Sequence, residues 1–215
     1  MKRRQWAWWG VLVGTVWASG CNGGGTQPPG PPADVVVSGG GGQNWYFNNP
    51  LPVPLSVTVF DVSGRPVPGV VVMWTVESGG GAVSPVQSST DPNGIASTSD
   101  SVGSSTIQRV SAAVNGVPSP ASFTEVATGA PTSAAVDVKD NFFEPATAIV
   151  QVNGTVTWTF RGAIAHTVTF TGGSDSGTPQ VSGTFGPITF TTVGTSSYHC
   201  KVHPATMTGS VRVVH

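Results

Sequence analysis

Side chains that bind metal ions are concentrated in the last third of the sequence. Residues 198–209 (YHCKVHPATMTG) contain Cys200, His203 and Met207, so one short stretch offers a thiolate, an imidazole and a thioether. A fourth donor, His166, begins the alternating stretch HTVTF further upstream. Soft sulfur ligands suit Cu(I), imidazole suits either oxidation state, and a weak axial thioether tunes the potential. These four residues predict a site for one copper ion.

Other kinds of metal site need motifs that this sequence lacks. Structural zinc is usually held by four Cys or His ligands from paired motifs such as CxxC, and covalent haem attachment needs CxxCH; neither motif occurs here. A lone Cys near a Met can also be an ordinary core residue, and this alternative stays open. The presence of both His166 and Met207 on separate predicted elements favours the copper site over it.

Two features resemble parts of enzymes but lack the residues that catalysis requires. The trinuclear cluster of multicopper oxidases needs a His on each side of the Cys and HxH pairs, whereas Cys200 is followed by Lys201 and no HxH pair occurs. Because neighbouring strand residues face opposite sides, His199 is expected to point away from Cys200. Asp175-Ser176-Gly177 resembles the surroundings of some serine-protease nucleophiles, but it lies in a Gly-rich loop and predicts a turn. We therefore expect neither an enzyme nor a small-molecule substrate.

The composition indicates the kind of fold that positions these residues. The chain has 215 residues, of which 29 are Gly and 18 are Pro, and only 9% are charged. Many Gly and Pro residues between alternating Val and Thr runs are typical of short strands joined by turns. The 9 Lys+Arg are balanced by 10 Asp+Glu, and no basic block follows residue 4. The sequence therefore predicts an all-β protein and excludes a nucleic-acid partner.

The beginning of the chain predicts export and a membrane anchor. Residues 1–20 contain three basic residues, an apolar run and then small residues, which is the pattern of a signal peptide. The apolar run is too short to span a bilayer as a helix. The following ASGC resembles the bacterial lipobox, although Ala18 stands where Leu is usual. This resemblance implies a bacterial lipoprotein, periplasmic or on the cell surface, that is lipidated at Cys21; residues 21–33 predict a Gly/Pro-rich tether.

Export changes the charge and the cysteine content of the mature protein. Removal of residues 1–20 leaves 6 Lys+Arg against 10 Asp+Glu, so the exported body is mildly acidic. With Cys21 lipidated, Cys200 has no second Cys with which to form an internal disulfide. Arg3-Arg4 leaves twin-arginine export of a folded protein open as an alternative route.

Residues 34–128 predict a first sandwich of about seven short strands. Apolar and polar residues alternate around residues 55–60 and 72–76, and turn signals such as Asp91-Pro92-Asn93-Gly94 separate the runs. Three consecutive aromatics, Trp45-Tyr46-Phe47, cannot all point inward from one strand, so contact with a partner is one interpretation. The predicted core consists of Leu55, Val57, Val59, Val72, Trp74, Val76, Ile95, Val110, Ala112 and Phe123.

This first segment resembles the bacterial Ig-like domains of the intimin and invasin type. The resemblance is carried by PLSVTVFDVSGRPVPGVVVMWTVESGGGAVSP, which begins at Pro54, and by TDPNGIAST, which begins at Thr90. Members of that family are mostly spacers and adhesin stalks. The segment has no His, no Cys and no paired carboxylates, so the resemblance implies a spacer role.

After residues 129–132, residues 133–215 resemble the cupredoxins of the plastocyanin, pseudoazurin and amicyanin kind. The matching stretches are NFFEPATAIVQVNGTVTWTF, HTVTF, FGPITFTTVGTSSYHC and HPATMTGSVRV. The resemblance implies a Greek-key sandwich of seven or eight strands, for which Asn153-Gly154 predicts a tight hairpin. The copper ligands that it implies are His166, Cys200, His203 and Met207.

The same resemblance implies one-electron transfer by a type 1 (blue) copper protein, and the lipobox would anchor this protein to a membrane. Transient redox protein partners would dock on an apolar patch around His203 that includes Val202, Pro204 and Ala205. The spacing between His203 and Met207 differs from that of amicyanin-like and plastocyanin-like loops, so the axial geometry and the potential cannot be taken from those relatives. Two alternatives stay open, namely a structural or adhesion lipoprotein without metal and a copper-sequestration protein.

Overall fold

The computed structural model describes residues 28–215. Residues 1–27 lie outside the described residues. They include the predicted signal peptide (residues 1–20), the lipidation site Cys21 and the part of the predicted tether (residues 21–33) that precedes residue 28. Residues 28–215 form seventeen β-strands and two tandem sandwiches, which confirms the predicted all-β fold. Within this range no helix is long and apolar enough to cross a membrane.

The first sandwich contains strands β1 to β9. Their bounds are β1 Pro32–Gly39, β2 Asn44–Tyr46, β3 Leu55–Asp61, β4 Val71–Ser78, β5 Gly81–Ser84, β6 Gln87–Ser89, β7 Ile95–Val102, β8 Ile107–Val114 and β9 Ala121–Thr128. One sheet has the order β1-β3-β7-β5 and the other β2-β9-β8-β4-β6. β1 starts two residues before residue 34, where the sequence predicts the start of the domain.

Alternation along the strands determines which side chains form the first core. In β3 the side chains of Leu55, Val57 and Val59 are fully buried, and Trp74 of β4 packs against Phe123 with ring centroids 5.9 Å apart. The prediction of Ile95 as a core residue is wrong. Ile95 is 38% exposed because the inward positions of β7 are Ala96 and alternate residues after it. The other predicted core residues are buried or packed against the cluster.

The second sandwich contains strands β10 to β17. Their bounds are β10 Ser133–Lys139, β11 Phe142–Glu144, β12 Thr147–Gln151, β13 Gly154–Phe160, β14 Thr169–Phe170, β15 Gly183–Phe190, β16 Gly194–His199 and β17 Thr208–Val214. The sheets have the orders β11-β10-β13-β15 and β12-β17-β16-β14. The eight strands agree with the number that the sequence predicts for this segment.

The Asn153-Gly154 turn has a different role from the one predicted. Asn153 adopts a left-handed conformation with φ 65°, as expected of Asn in a tight turn. However, β12 and β13 belong to different sheets, so the turn is not a β-hairpin. The chain crosses here from one sheet to the other over a core that contains Trp158, whose ring packs edge-on against Tyr198 with a centroid distance of 5.4 Å.

The predicted metal ligands lie together at one end of the second sandwich. His199 and Thr208 are paired across β16 and β17, so residues 200–207 form a loop at this end. The parallel strands β10 and β13 both run toward this end and finish at Lys139 and Phe160. The segment leading to His166 therefore starts beside the ligand loop.

The two sandwiches contact each other at the opposite end of β17. The Asn49 side chain donates to the His215 carbonyl (3.3 Å) and accepts from the His215 N–H (3.1 Å). The Arg212 guanidinium lies 4.7 Å from the centre of the Trp45 ring. Trp45, one of the three consecutive aromatics, therefore contacts the second domain of its own chain.

Candidate metal centre

The ligand loop between β16 and β17 is closed by its own backbone hydrogen bonds. Cys200 N donates to the Met207 carbonyl (3.0 Å), and Met207 N donates to the His203 carbonyl (3.0 Å). His203 N donates in turn to the Cys200 carbonyl (3.2 Å). These three bonds join the residues that the sequence selects as ligands, and so they fix the spacing of Cys200, His203 and Met207 at the end of the sandwich.

Hydrogen bonds hold His166 at its backbone N–H, at its backbone carbonyl and at its ring. Its N–H donates to the Gln180 carbonyl (2.9 Å), and its own carbonyl accepts the Gln180 N–H (2.8 Å). The ring nitrogen Nε2 lies 3.2 Å from Oδ1 of Asp140. The ring is almost completely buried, with the side chain 1% exposed. The other ring nitrogen, Nδ1, lies 3.7 Å from the Cys200 sulfur.

Three of the four predicted ligands converge on one point. A nitrogen of His166, the sulfur of Cys200 and a nitrogen of His203 all lie within 4.8 Å of one another. Within residues 28–215 no other group of three His, Cys, Asp or Glu side chains is close enough to hold a metal ion. Met207 follows in the same loop and is completely buried.

The environment of Cys200 favours the thiolate, which is the form that binds metals. Burial raises the pKa of the thiol, but hydrogen bonds from the Thr167 N–H and from two further backbone N–H groups of the loop lower the pKa below its usual value. The Thr167 N–H lies 3.4 Å from the sulfur. The backbone N–H groups around the sulfur therefore stabilise the thiolate.

The residues present fit a metal ion that accepts both thiolate and imidazole. Nδ1 of His203 is buried and has no hydrogen-bond partner among residues 28–215, and a buried orphaned nitrogen is costly unless it has a ligand. A metal ion between the three donors would satisfy it. One thiolate and two imidazoles beside a buried Met form the donor set of blue-copper sites.

Two neighbouring residues complete the support of the site, and the sequence alone does not select them. Thr167 donates its N–H to the Cys200 sulfur and accepts the Lys201 N–H at its hydroxyl (2.9 Å). Asp140 accepts a hydrogen bond from His166. Neither position belongs to a spacing motif, because their contacts arise only when distant segments fold together.

Asp175 and Ser176, which resemble the surroundings of a protease nucleophile, form hydrogen bonds with the backbone of their own loop. Gly177 N donates to the Asp175 carboxylate (2.9 Å), and the Ser176 hydroxyl accepts the Val168 N–H (2.9 Å). Asp175 also forms an isolated β-bridge with Thr169, so the predicted turn is a side-chain (Asx) turn after this bridge and not a backbone turn. His199 is half-buried in β16, and His215 is exposed at the chain end.

One family model matches part of the first domain. Residues 48–126 match the family model described as a bacterial Ig-like domain (group 1). This match confirms the predicted Ig-like domain over those residues, and a second β-sandwich formed by β10 to β17 follows it. A comparison with curated protein sequences finds no match.

Solved structures similar to the chain include representatives of both predicted folds. A purple cupredoxin from Nitrosopumilus maritimus is 22% identical, with 38% of this chain and 99% of that chain covered and a TM-score of 0.32. A mutant of amicyanin in its reduced state is 32% identical, with 38% and 82% covered and a TM-score of 0.30. The D0-D1 domain of intimin is 17% identical, with 84% and 95% covered and a TM-score of 0.36.

Proposed function

We propose that the second domain binds one copper ion as a type 1 site and passes single electrons between redox proteins. The observation that carries this proposal is the convergence of His166, Cys200 and His203, with the orphaned Nδ1 of His203 among them. These three residues form a candidate His-Cys-His metal site at one end of the second sandwich.

A bound copper ion would supply one-electron redox chemistry at this site. The residues of the chain supply a rigid environment. Cys200 and His166 are completely buried and exclude water, and backbone hydrogen bonds fix the loop that carries Cys200, His203 and Met207. Because these donors are held by backbone and packing, little rearrangement would accompany a change of oxidation state.

The surface around the site suits brief contacts with protein partners. Val202 and Ile164 at this end are each 46% exposed, and Phe142 is 49% exposed. The nearby charges are paired within the domain, as in the Lys201–Asp175 ion pair. A surface of exposed apolar residues and paired charges favours weak docking through a small interface. We propose transient redox proteins as the partners, and neither an enzymatic reaction nor a small-molecule substrate.

The location of the protein belongs to the same proposal. The match to a bacterial Ig-like domain supports a surface or extracytoplasmic protein. We add to this the anchor at Cys21, which lies outside the described residues. The first domain then separates the copper domain from the membrane, in agreement with the spacer role implied by its resemblance.

The experiment that tests the proposal is a titration of the exported form, residues 22–215, with Cu(II). We expect an intense visible absorption band from charge transfer between the Cys200 thiolate and the metal, saturating at one copper per chain. Cys200→Ser should lose this band. His199→Gln is the matched control, because His199 neighbours Cys200 but lies outside the donor group, and it should retain the band.

The alternatives give different results in the same experiments. A protein that has lost the metal site would show no visible band in the wild type, and the structural or adhesion role would then replace the proposal. A sequestration protein would bind Cu(I) tightly without a reversible wave in cyclic voltammetry. Reversible one-electron cycling together with the visible band would support electron transfer.

A further inference from the structure

The carboxylate of Asp140 connects the start of the second sandwich to the predicted ligand His166. Asp140 follows β10 directly, and its side chain is 41% exposed. It accepts hydrogen bonds from the Ala163 N–H (3.0 Å) and the Ile164 N–H (3.1 Å). Its Oδ1 also lies 3.2 Å from His166 Nε2. One carboxylate therefore fixes both the loop before His166 and the His166 ring.

The backbone leaves room for this carboxylate at a glycine. A Cβ atom at Gly162 would lie 2.4 Å from Asp140 Oδ1 and 3.1 Å from Cδ2 of His166. Carbon and oxygen atoms cannot approach to 2.4 Å without a bond, so any side chain at residue 162 would displace the carboxylate. The contact between Asp140 and His166 thus requires Gly162.

The contact determines which nitrogen of His166 is available to a metal. A neutral imidazole has one protonated nitrogen, and the hydrogen bond of one nitrogen fixes the state of the other. Because a carboxylate oxygen accepts, Nε2 carries the proton. The lone pair is then on Nδ1, the atom that lies 3.7 Å from the Cys200 sulfur. The ring is oriented with its free donor atom toward the other two predicted ligands.

We propose that Asp140 is a positioning residue that holds His166 in the Nε2–H tautomer and lowers the reduction potential of the bound copper. The proposal rests on the proposed function, since the potential is that of a copper ion held by His166, Cys200 and His203. In the redox step a reduced partner protein would donate one electron to the copper held by these residues, Cu(II) would become Cu(I), and no proton would leave His166. A negative carboxylate hydrogen-bonded to the ligand ring increases electron donation from the ring to the metal and favours the more highly charged Cu(II).

Two substitutions separate the charge of Asp140 from its hydrogen bonds. Asp140→Asn keeps one acceptor oxygen but removes the charge, so we expect the visible band to remain and the potential to rise. Each tenfold change in the ratio of Cu(I) to Cu(II) affinity corresponds to about 59 mV for one electron. Asp140→Ala removes the hydrogen bonds as well, and we expect Cu(II) affinity to fall roughly 10- to 100-fold.

The matched control is Asp137→Asn. Asp137 lies on β10, three residues before Asp140, and its carboxylate pairs with Arg161 Nε at 2.7 Å instead of with a predicted ligand. This variant removes the same charge from the same domain, and we expect a smaller change in potential. An equal change in both variants would overturn the proposal, because the effect would then be one of net charge.

A second measurement needs no copper. Long-range proton–nitrogen correlation spectra of the metal-free protein report which nitrogen of neutral His166 carries the proton. We expect Nε2–H in the wild type and in Asp137→Asn, and a mixture of tautomers in Asp140→Ala. An unchanged tautomer in Asp140→Ala, or an unchanged potential in Asp140→Asn, overturns the role of Asp140. Failure of the wild type to bind copper overturns the proposed function instead, and the tautomer measurement remains valid.

Discussion

At the residue scale, the four predicted ligands are supported by different observations. The donor atoms of His166, Cys200 and His203 lie within 4.8 Å of one another. Met207 is supported by its complete burial and by its backbone hydrogen bonds to Cys200 and His203. The loop and the core hold the Met207 thioether beside the site without any bond to a metal. A weak axial ligand has to be positioned in this way, because its own bond to the metal would contribute little.

The axial role of Met207 can be tested by a substitution of similar volume. Met207→Leu should fold, because exchanges of Met and Leu in a core usually cost less than about 1.5 kcal/mol. The thiolate and both imidazoles remain, so the visible band should persist. Loss of the thioether should raise the potential in cyclic voltammetry. Met73→Leu, at a 47% exposed position of the first domain, is the control; equal potentials in all three proteins would remove the axial assignment.

The sequence predicts the donors but not the residues that orient them. Cys200, His203 and Met207 occupy one loop between two strands, so their spacing alone brings them together. Asp140 is 26 positions from His166, and a single Asp after a strand has no spacing signal. Its function depends on the parallel pairing of β10 with β13, a tertiary feature that local patterns do not contain.

At the scale of elements, β7 and β9 of the first domain bury charge as well as apolar groups. Asp100 of β7 is 3% exposed and Glu125 of β9 is fully buried. Burial raises the pKa of Asp100 to about 6, and one of its oxygens has no hydrogen-bond partner among residues 28–215. Burial also raises the pKa of Glu125, with a further contribution from repulsion by Asp100. The inward positions of these two strands are therefore occupied by charged side chains as well as by apolar ones.

The substitution Asp100→Asn should stabilise the first domain at neutral pH. The folded-state pKa lies above the unfolded value of 3.8, so the folded state binds the proton more tightly. This contribution to the unfolding free energy is fully present below the unfolded pKa and is lost as the pH rises through about 6. Asn removes the buried charge, and we expect a gain of roughly 1–2 kcal/mol at neutral pH.

The measurement is denaturant unfolding followed by Trp fluorescence at a series of pH values between those two pKa values. The difference between Asp100→Asn and wild type should grow with pH across this window. Asp34→Asn is the control, because Asp34 is exposed on β1, and its difference from wild type should stay constant. A gain that does not depend on pH would show that Asp100 acts through packing alone.

At the scale of the whole molecule, the order of the two domains places the candidate metal site far from the beginning of the chain. The ligand loop is at one end of β17, and the contact with the first domain is at the other. Seven residues of strand separate these ends by about 20 Å. The sequence predicts the order of the two domains, but it cannot predict the contact of Trp45 with Arg212, because neither residue belongs to a pattern that includes the other.

The attachment to the membrane is tested at Cys21, which lies outside the described residues. Cys21→Ser should release the protein into the soluble fraction after carbonate washing, because the lipid would be lost while both folded domains remain. Copper binding by the released protein should equal that of wild type. Retention of the variant in the membrane fraction would contradict a lipid anchor at this residue.

The contact between the domains predicts that the molecule tumbles as one body. Asn49 forms two hydrogen bonds with the backbone of His215, and Trp45 covers the Arg212 guanidinium at 4.7 Å. Such a cation–π contact contributes about 0.5–2 kcal/mol, and each hydrogen bond about 0.5–1.5 kcal/mol. Without these contacts, residues 129–132 would be the main restraint on the orientation of the second domain.

The variant that tests this rigidity combines Asn49→Ala with Trp45→Ala. Backbone nitrogen relaxation should give one rotational correlation time for both domains of the wild type and two shorter, different times for the variant. Arg109→Ala is the control, because the Arg109 side chain donates to Thr124 of the same domain (3.3 Å) and its loss should leave one shared time. Two different times in the wild type would contradict a fixed arrangement. In that case the copper domain would move freely on its spacer, and the ligand end would sample many directions relative to the anchor.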